Sequence, residues 1–178
     1  MLKKGARAKE FELAIQWLMD AGLVHKVCQV SKPEAPLTFY EEADAFKLFL
    51  LDCGLLGAMN MTDATEAMLT DNIFEEYNGA LTEQLVLQEL KCVPNLPVYY
   101  YTKQNSQQEI DFVIEIKNRA IPVEAKAGEN LQAKSLKQFI QENKSEKAIK
   151  TSLKQYKSNE IIDNVPLYAL YCYLLEPR

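Results

Sequence analysis

Histidine is almost missing from this chain of 178 residues, where His25 is the only one. That single imidazole rules out zinc centres built on His pairs or Cys/His clusters, and nucleophilic triads that use a His base. No G-x-x-x-x-G-K-[ST] loop is present, so no P-loop nucleotide site lies within the chain. The four cysteines, Cys28, Cys53, Cys92 and Cys172, form no C-x-x-C pair. Each stands among apolar neighbours, so reduced, buried thiols are expected. No apolar run approaches the length of about 18 residues that marks a membrane span. The opening MLKKGARAKE has no apolar stretch behind its basic residues, so no secretory signal is expected either. Glycine and proline are sparse and there is no low-complexity tract, which argues against disorder. The expectation is a soluble, cytoplasmic protein whose chemistry must run on carboxylates, lysines, hydroxyls or an oxygen-held metal.

The net charge of -5 argues against a general polyanion binder. Its distribution is uneven, since ten basic residues stand against four acidic ones from Lys117 to Lys157. FELAIQWLMDAGLV places Phe11, Ile15, Leu18 and Met19 at helical spacing, with Gly22 as the stop. VHKVCQV and PLTFY read as two strands parted by the turn-rich SKPEAP. FKLFLLDCGLLGAM reads as a buried strand or a short helix. Residues 62 to 77 read as a weakly amphipathic helix that Asn78-Gly79 breaks. GALTEQLVLQELKCV is a clear helix, ended by Pro94 and Pro97. VYYYT, KAIKTSL and VPLYALYCYLL read as strands, KQNSQQ as a polar turn, and NLQAKSLKQFIQENK as a helix with Leu131, Leu136, Phe139 and Ile140 inward. From Gly79 onward the order is α-β-β-β-α-β-β.

The stretch EIDFVIEIKNRAIPVEAK, residues 109 to 126, sets Asp111, Glu124 and Lys126 into two apolar runs. A hairpin turning at Asn118-Arg119 places Ile116 opposite Ile121, Ile114 opposite Val123 and Phe112 opposite Ala125. The same register puts Asp111 opposite Lys126 and Glu124 opposite Val113. The apolar positions then share one face, and the three charged groups project together from the other. Carboxylates about 5 Å apart repel unless a cation or a proton intervenes. Magnesium takes one or two carboxylates plus waters at about 2.0 to 2.1 Å. With it, Lys126 would position a water or stabilise charge on a phosphate. These are the parts of a metal-dependent phosphodiesterase. The bland alternative is a wetted strand face, because Glu109, Glu115 and Lys117 lie on the same strand and a surface ion pair contributes little.

A G-x-x-x-E helix (Gly79 to Glu83), an aspartate in an apolar strand (Asp111), E-x-K in the next strand (Glu124, Lys126), then a helix and a strand resemble the PD-(D/E)XK, or restriction-endonuclease-like, superfamily. The run from Trp17 to Tyr168 also resembles the C-terminal domain of a large prokaryotic family of AAA+-type ATPases. WLMDAGLVHKV, FKLFLLDCGLL, GALTEQLVLQEL, YYYTKQNSQQEIDFVIE, IPVEAKAG, KSLKQF and NVPLYALY carry that likeness. The resemblance implies an α/β fold: a restriction-endonuclease-like core at residues 76–178, with a mixed central sheet flanked by helices. Residues 61–75 would connect it to a small N-terminal α+β segment at 1–60, a winged-helix remnant with residues 24–40 as its wing-like hairpin. It further implies Asp111 and Glu124 as ligands of Mg²⁺ or Mn²⁺, Lys126 as the catalytic lysine and Glu83 as the helix carboxylate completing the site, with Glu89 the weaker helix candidate. Glu109-Ile110 precedes the aspartate, where the superfamily more often has a proline. The ATPase module of family members is missing here, so the chain reads as a truncated product, a fragment or a solo remnant. DNA or RNA, and an ATPase domain in the full-length protein, are the implied partners. The implied function is a divalent-metal-dependent nucleic-acid phosphodiesterase; the alternative is a non-catalytic module that binds nucleic acid or protein and regulates the ATPase.

Several residues stay open between two readings. Trp17 and His25 pack or cap the end of the first helix rather than react. Tyr99, Tyr100, Tyr101, Tyr168, Tyr171 and Tyr173 pack in strands, with base stacking as the alternative. Lys134, Lys137, Lys144, Lys147, Lys150, Lys154 and Lys157 line a phosphate-binding edge or form a solvated face. Ser135 and Lys137 lie where superfamily members place substrate-contacting groups.

Overall fold

Runs of β-branched and aromatic residues bounded by Gly, Pro and Asn supply strands, and two of the intervening segments repeat apolar residues every three or four positions. A computed structural model describes residues 11–59, 74–103, 108–127 and 134–176 of the chain. The order is α1 (Glu12–Asp20), β1 (Val24–Val30), β2 (Glu41–Leu50), α2 (Cys53–Met59), α3 (Phe74–Cys92), β3 (Val98–Thr102), β4 (Glu109–Ile116), β5 (Arg119–Lys126), α4 (Lys134–Asn143), β6 (Ala148–Ser152), β7 (Lys157–Ser158), β8 (Ile162–Pro166) and α5 (Leu170–Leu175). The strands form one mixed sheet in the order β2-β1-β3-β4-β5-β6-β8-β7. This is an α/β architecture with both sheet faces covered.

One face packs on α3 and α5 through Val86, Leu87, Leu90 and Leu170 against Phe112, Ile114, Val123 and Val165. The opposite face packs on α4, where Leu136 and Phe139 meet Ile110, Val113 and Tyr99. The N-terminal hairpin belongs to the same sheet. β1 pairs in parallel with β3 at Gln29 and Tyr100, and Val27 and Phe49 enter the core that holds Phe112.

Gly22 ends α1 at φ +71, and the Leu23 N–H returns to the Leu18 carbonyl at 2.9 Å, as a helix C-terminus of this kind requires. Trp17 does not pack against the end of α1, since it is 77% exposed. PLTFY is not a strand. Pro36 carries no N–H, the Leu37 N–H is taken by the Glu115 carboxylate at 2.8 Å, and residues Leu37–Tyr40 form a 3-10 turn. The hairpin partner of β1 is β2, from Val24 opposite Leu50 to Val30 opposite Glu41. FKLFLLDCGLLGAM supplies both the end of β2 and α2. Asp52 separates them, its carboxylate accepting the Leu55 N–H at 2.7 Å.

Asn78-Gly79 does not break the chain, because α3 runs through it. A glycine costs a helix about 1 kcal/mol, and the burial of Val86, Leu87 and Leu90 outweighs that. The expected helix over residues 62–77 lies mostly outside the described residues, as do Leu131 and most of the KQNSQQ turn. VPLYALYCYLL is not a strand beyond Pro166. Its buried residues Leu167 and Leu170 and the partly buried Tyr173 and Leu174 recur every three or four positions, and the segment folds as a 3-10 turn followed by α5. The thiols are free, but none is fully buried and Cys92 and Cys172 are exposed. Among the described residues no helix is long and apolar enough to cross a membrane.

Candidate functional site

The β4-β5 hairpin turns at Lys117 and Asn118, both at positive φ, rather than at Asn118-Arg119. Phe112 therefore faces Val123, Ile114 faces Ile121 and Val113 faces Pro122. This is a slip of two residues from the expected pairing, so the inward and outward alternation survives it. The apolar residues do not all share one face, however. Ile110 and Val113 join the α4 side while Phe112 and Ile114 join the α3 side. The cause is a bulge in β4: Tyr99 pairs with Val113 and Tyr101 with Ile110, so Asp111 and Phe112 together oppose Tyr100. A bulge of this kind re-aims a side chain. Asp111 consequently leaves the ladder, and its carboxylate accepts the Ala125 N–H at 2.8 Å. It thus lies between Glu124 and Lys126 rather than opposite Lys126.

Glu124 is buried, with 4% of its surface exposed. One of its oxygens meets the Lys126 ammonium at 2.6 Å. The other, Oε2, is buried with no hydrogen-bond partner among the described residues. Glu83 reaches the cluster from α3, where Lys47 of β2 lies 3.6 Å from its carboxylate. Lys47 also pairs with Glu109 and stacks over the Tyr100 ring at 5.2 Å. Glu89 does not join them. Its carboxylate accepts the Tyr171 N–H at 3.2 Å and holds the start of α5. Of the two helix carboxylates, only Glu83 lies beside the hairpin acids.

The electrostatics follow from this crowding. Burial, then the charges of Glu124 and Glu83, push the Asp111 carboxyl up to about 7, against the pull of the Ala125 N–H and Lys47. Burial also raises Glu124, partly offset by the Lys126 hydrogen bond and charge, with Glu83 and Glu109 adding to the rise. For Lys126, burial alone would lower the ammonium; its contact with Glu124 and the nearby Asp111 and Glu83 outweigh that and raise it. Lys47 behaves in the same way through Glu109 and Glu83. The cluster therefore favours any added positive charge at neutral pH, whether proton or cation. Among the described residues no three His, Cys, Asp or Glu side chains are arranged as a ready-made metal cage. A hard cation that keeps most of its waters needs only one or two of these carboxylates.

Sequence reasoning missed Lys47. Its signal was the same as that of Lys126: a lone ammonium in an apolar strand, here FKLFLL. Ser135 is half-buried, and Lys137 stands exposed on α4. Tyr99 and Tyr100 are buried in the sheet, and Tyr101 packs edge-on to Phe139 at 5.6 Å. Tyr168, Tyr171 and Tyr173 lie on the C-terminal 3-10 turn and α5 instead of a strand.

Residues 78–170 match the family model described as Domain of unknown function (DUF4143). Residues 1–66 match a second, Domain of unknown function (DUF8612). No curated protein and no solved structure matches the chain.

Proposed function

The chain belongs to the DUF4143 family, whose description names no activity, and from its acidic cluster we propose a divalent-metal-dependent nucleic-acid phosphodiesterase built on a PD-(D/E)XK-like core. The observation that carries this reading is the meeting of Asp111, Glu124, Lys126 and Glu83 around one buried carboxylate whose second oxygen has no hydrogen-bond partner among the described residues. The element order α3-β3-β4-β5-α4-β6 supports it. The donor set fits Mg²⁺ or Mn²⁺, since it offers hard carboxylate oxygens and no sulfur or imidazole.

In this reading Asp111 and Glu124 hold the ion, which when bound supplies charge neutralisation at a phosphate and a more acidic water. Lys126, already fixed by Glu124, orients the attacking water or meets negative charge as it builds on the phosphate. Glu83 and Lys47 form the outer wall and set the field at Asp111. Purified protein with Mn²⁺ should nick plasmid DNA or cut single-stranded RNA, and Asp111→Asn should lower the rate at least a hundredfold, about 2.7 kcal/mol, with an unchanged circular-dichroism spectrum. Equal cutting by the variant would sink the proposal.

One observation favours a second reading. Lys126 and Lys47 already supply two ammonium groups to the four carboxylates, and a proton on Asp111 leaves about one uncompensated charge, so the cluster persists without a divalent metal. The domain would then be a non-catalytic module that binds nucleic acid or protein for an AAA+-type ATPase. Calorimetric titration with Mn²⁺ separates the two, because the enzyme must bind the ion and the module need not.

A further inference from the structure

Cross-strand register carries a row of side chains away from the candidate site. Glu124 pairs with Lys150, Lys150 with Asn164 and Asn164 with Lys157, and residues paired across neighbouring strands stand on the same side of a sheet. The row thus runs from the buried carboxylate outward over four strands, changing from acidic to basic. Beside it lies a cleft of about 610 Å³, lined by Lys150, Lys154, Lys157, Tyr156 and Asn164 among others. It lies past the carboxyl end of β6, where Leu153 to Lys157 lead into β7, and the carboxyl ends of parallel strands are where open α/β sheets bind ligands.

The wall of this cleft is organised by hydrogen bonds. Asn164 donates to the Gln155 carbonyl at 3.0 Å and accepts from Ser152 Oγ at 2.9 Å, which in turn accepts the Lys154 N–H at 3.3 Å. None of the described residues lining it is acidic. Among the described residues no carboxylate lies within ion-pair distance of Lys137, Lys150, Lys154 or Lys157. Tyr156 is 55% exposed at the rim, its ring 6.3 Å from that of Tyr173. Burial, then the ammonium groups of Lys137, Lys154 and Lys126, hold Lys150 below its usual value, so the cations repel one another until an anion enters.

We propose that this cleft is the binding groove for a single-stranded phosphodiester chain, with Lys150, Lys154 and Lys157 on successive phosphates and Tyr156 stacking on a base. The choice of a phosphodiester occupant rests on the function proposed above. Lysines spaced along a groove with an exposed aromatic suit a strand whose bases are free to stack. An acidic whole chain with one local basic track would bind it weakly and with strong salt dependence.

The test is fluorescence anisotropy with labelled single-stranded DNA and RNA of about 16 nucleotides, in EDTA, over a salt series. Both probes should bind, with affinity falling steeply as salt rises. The combined Lys150→Gln, Lys154→Gln and Lys157→Gln variant should flatten the slope of log K against log salt by about 0.7 per ammonium, about 2 in all. Tyr156→Ala should weaken binding about tenfold with its slope unchanged, and Lys32→Gln, on the far side of the sheet order, should do nothing. A triple variant with wild-type affinity and slope overturns the inference, and so does an acidic phosphopeptide that displaces the oligonucleotide and binds more tightly. Preference for RNA or for DNA identifies the natural strand within the proposed class. Metal is chelated throughout, so the outcome does not depend on catalysis. In a separate assay with Mn²⁺ in place of EDTA, binding through these lysines without any cutting removes the phosphodiesterase and leaves the groove; cutting with an unchanged KM and salt slope in the triple variant removes the groove alone.

Discussion

Asp111 is the residue on which proton and cation compete. Its folded-state carboxyl is held at about 7 by burial and by Glu124 and Glu83, against about 4 for an unfolded chain. Between these values the native state keeps a proton that the unfolded state has released, so stability should fall as pH rises from about 4 to about 7. Urea denaturation at either end of that window measures the loss, and Asp111→Asn should remove most of the slope. The E-x-K pair and Asp111 were legible because charged letters interrupt apolar runs. Lys47 interrupts an apolar run in the same way, but its place beside Glu83 was not legible, because only the fold brings β2 beside α3. The bulge was equally invisible, since an extra residue in one strand shows only when the partner strand is known.

The β4-β5 hairpin shows where pattern reading stops. Alternation has a period of two, so a slip of two residues leaves every side chain facing the same way, and the turn residues alone must choose between registers. Lys117 and Asn118 both take positive φ, the requirement of a two-residue turn that Asn-Gly meets best. A lysine there is strained, so Lys117→Gly should raise stability by about 0.5 to 1 kcal/mol in chemical denaturation, offset in part by the entropy glycine adds to the unfolded chain. A loss of stability would mean that the Lys117 side chain makes contacts that outweigh its backbone strain. The last element was misread for a related reason. A short continuous apolar run fits a buried strand or a buried helix, and only its packing partners decide.

Across the molecule, one sheet spans both segments that the two family models divide. Phe49 of β2 lies 5.6 Å from Phe112 of β4, ring to ring, and Lys47 joins the same strand to Glu83 and Glu109. Gln84 strengthens the join, its buried amide spanning Leu50 N–H at 3.0 Å and Leu50 C=O at 2.8 Å. Phe49→Ala should therefore cost about 3 to 5 kcal/mol and lower the opening free energies of Val27 and Ile114 together in amide hydrogen exchange. Separate opening of these two amides would show independent units. The order of elements from α3 to β6 was readable from periodicity and turn residues. The docking of the hairpin on β3 was not, because strand neighbours are set by long-range packing that no local pattern encodes.

The doubled position opposite Tyr100 has a structural corollary. Ile110 already points to the α4 side and Phe112 to the α3 side, so the two would be in phase as adjacent residues of an ordinary strand. Asp111 is thus a spliced-in letter: excising it should leave a flatter, regular ribbon with its grease undisturbed. The acid is an insert in the strand pattern, and a deletion variant that keeps the native circular-dichroism spectrum would show that the scaffold folds without it.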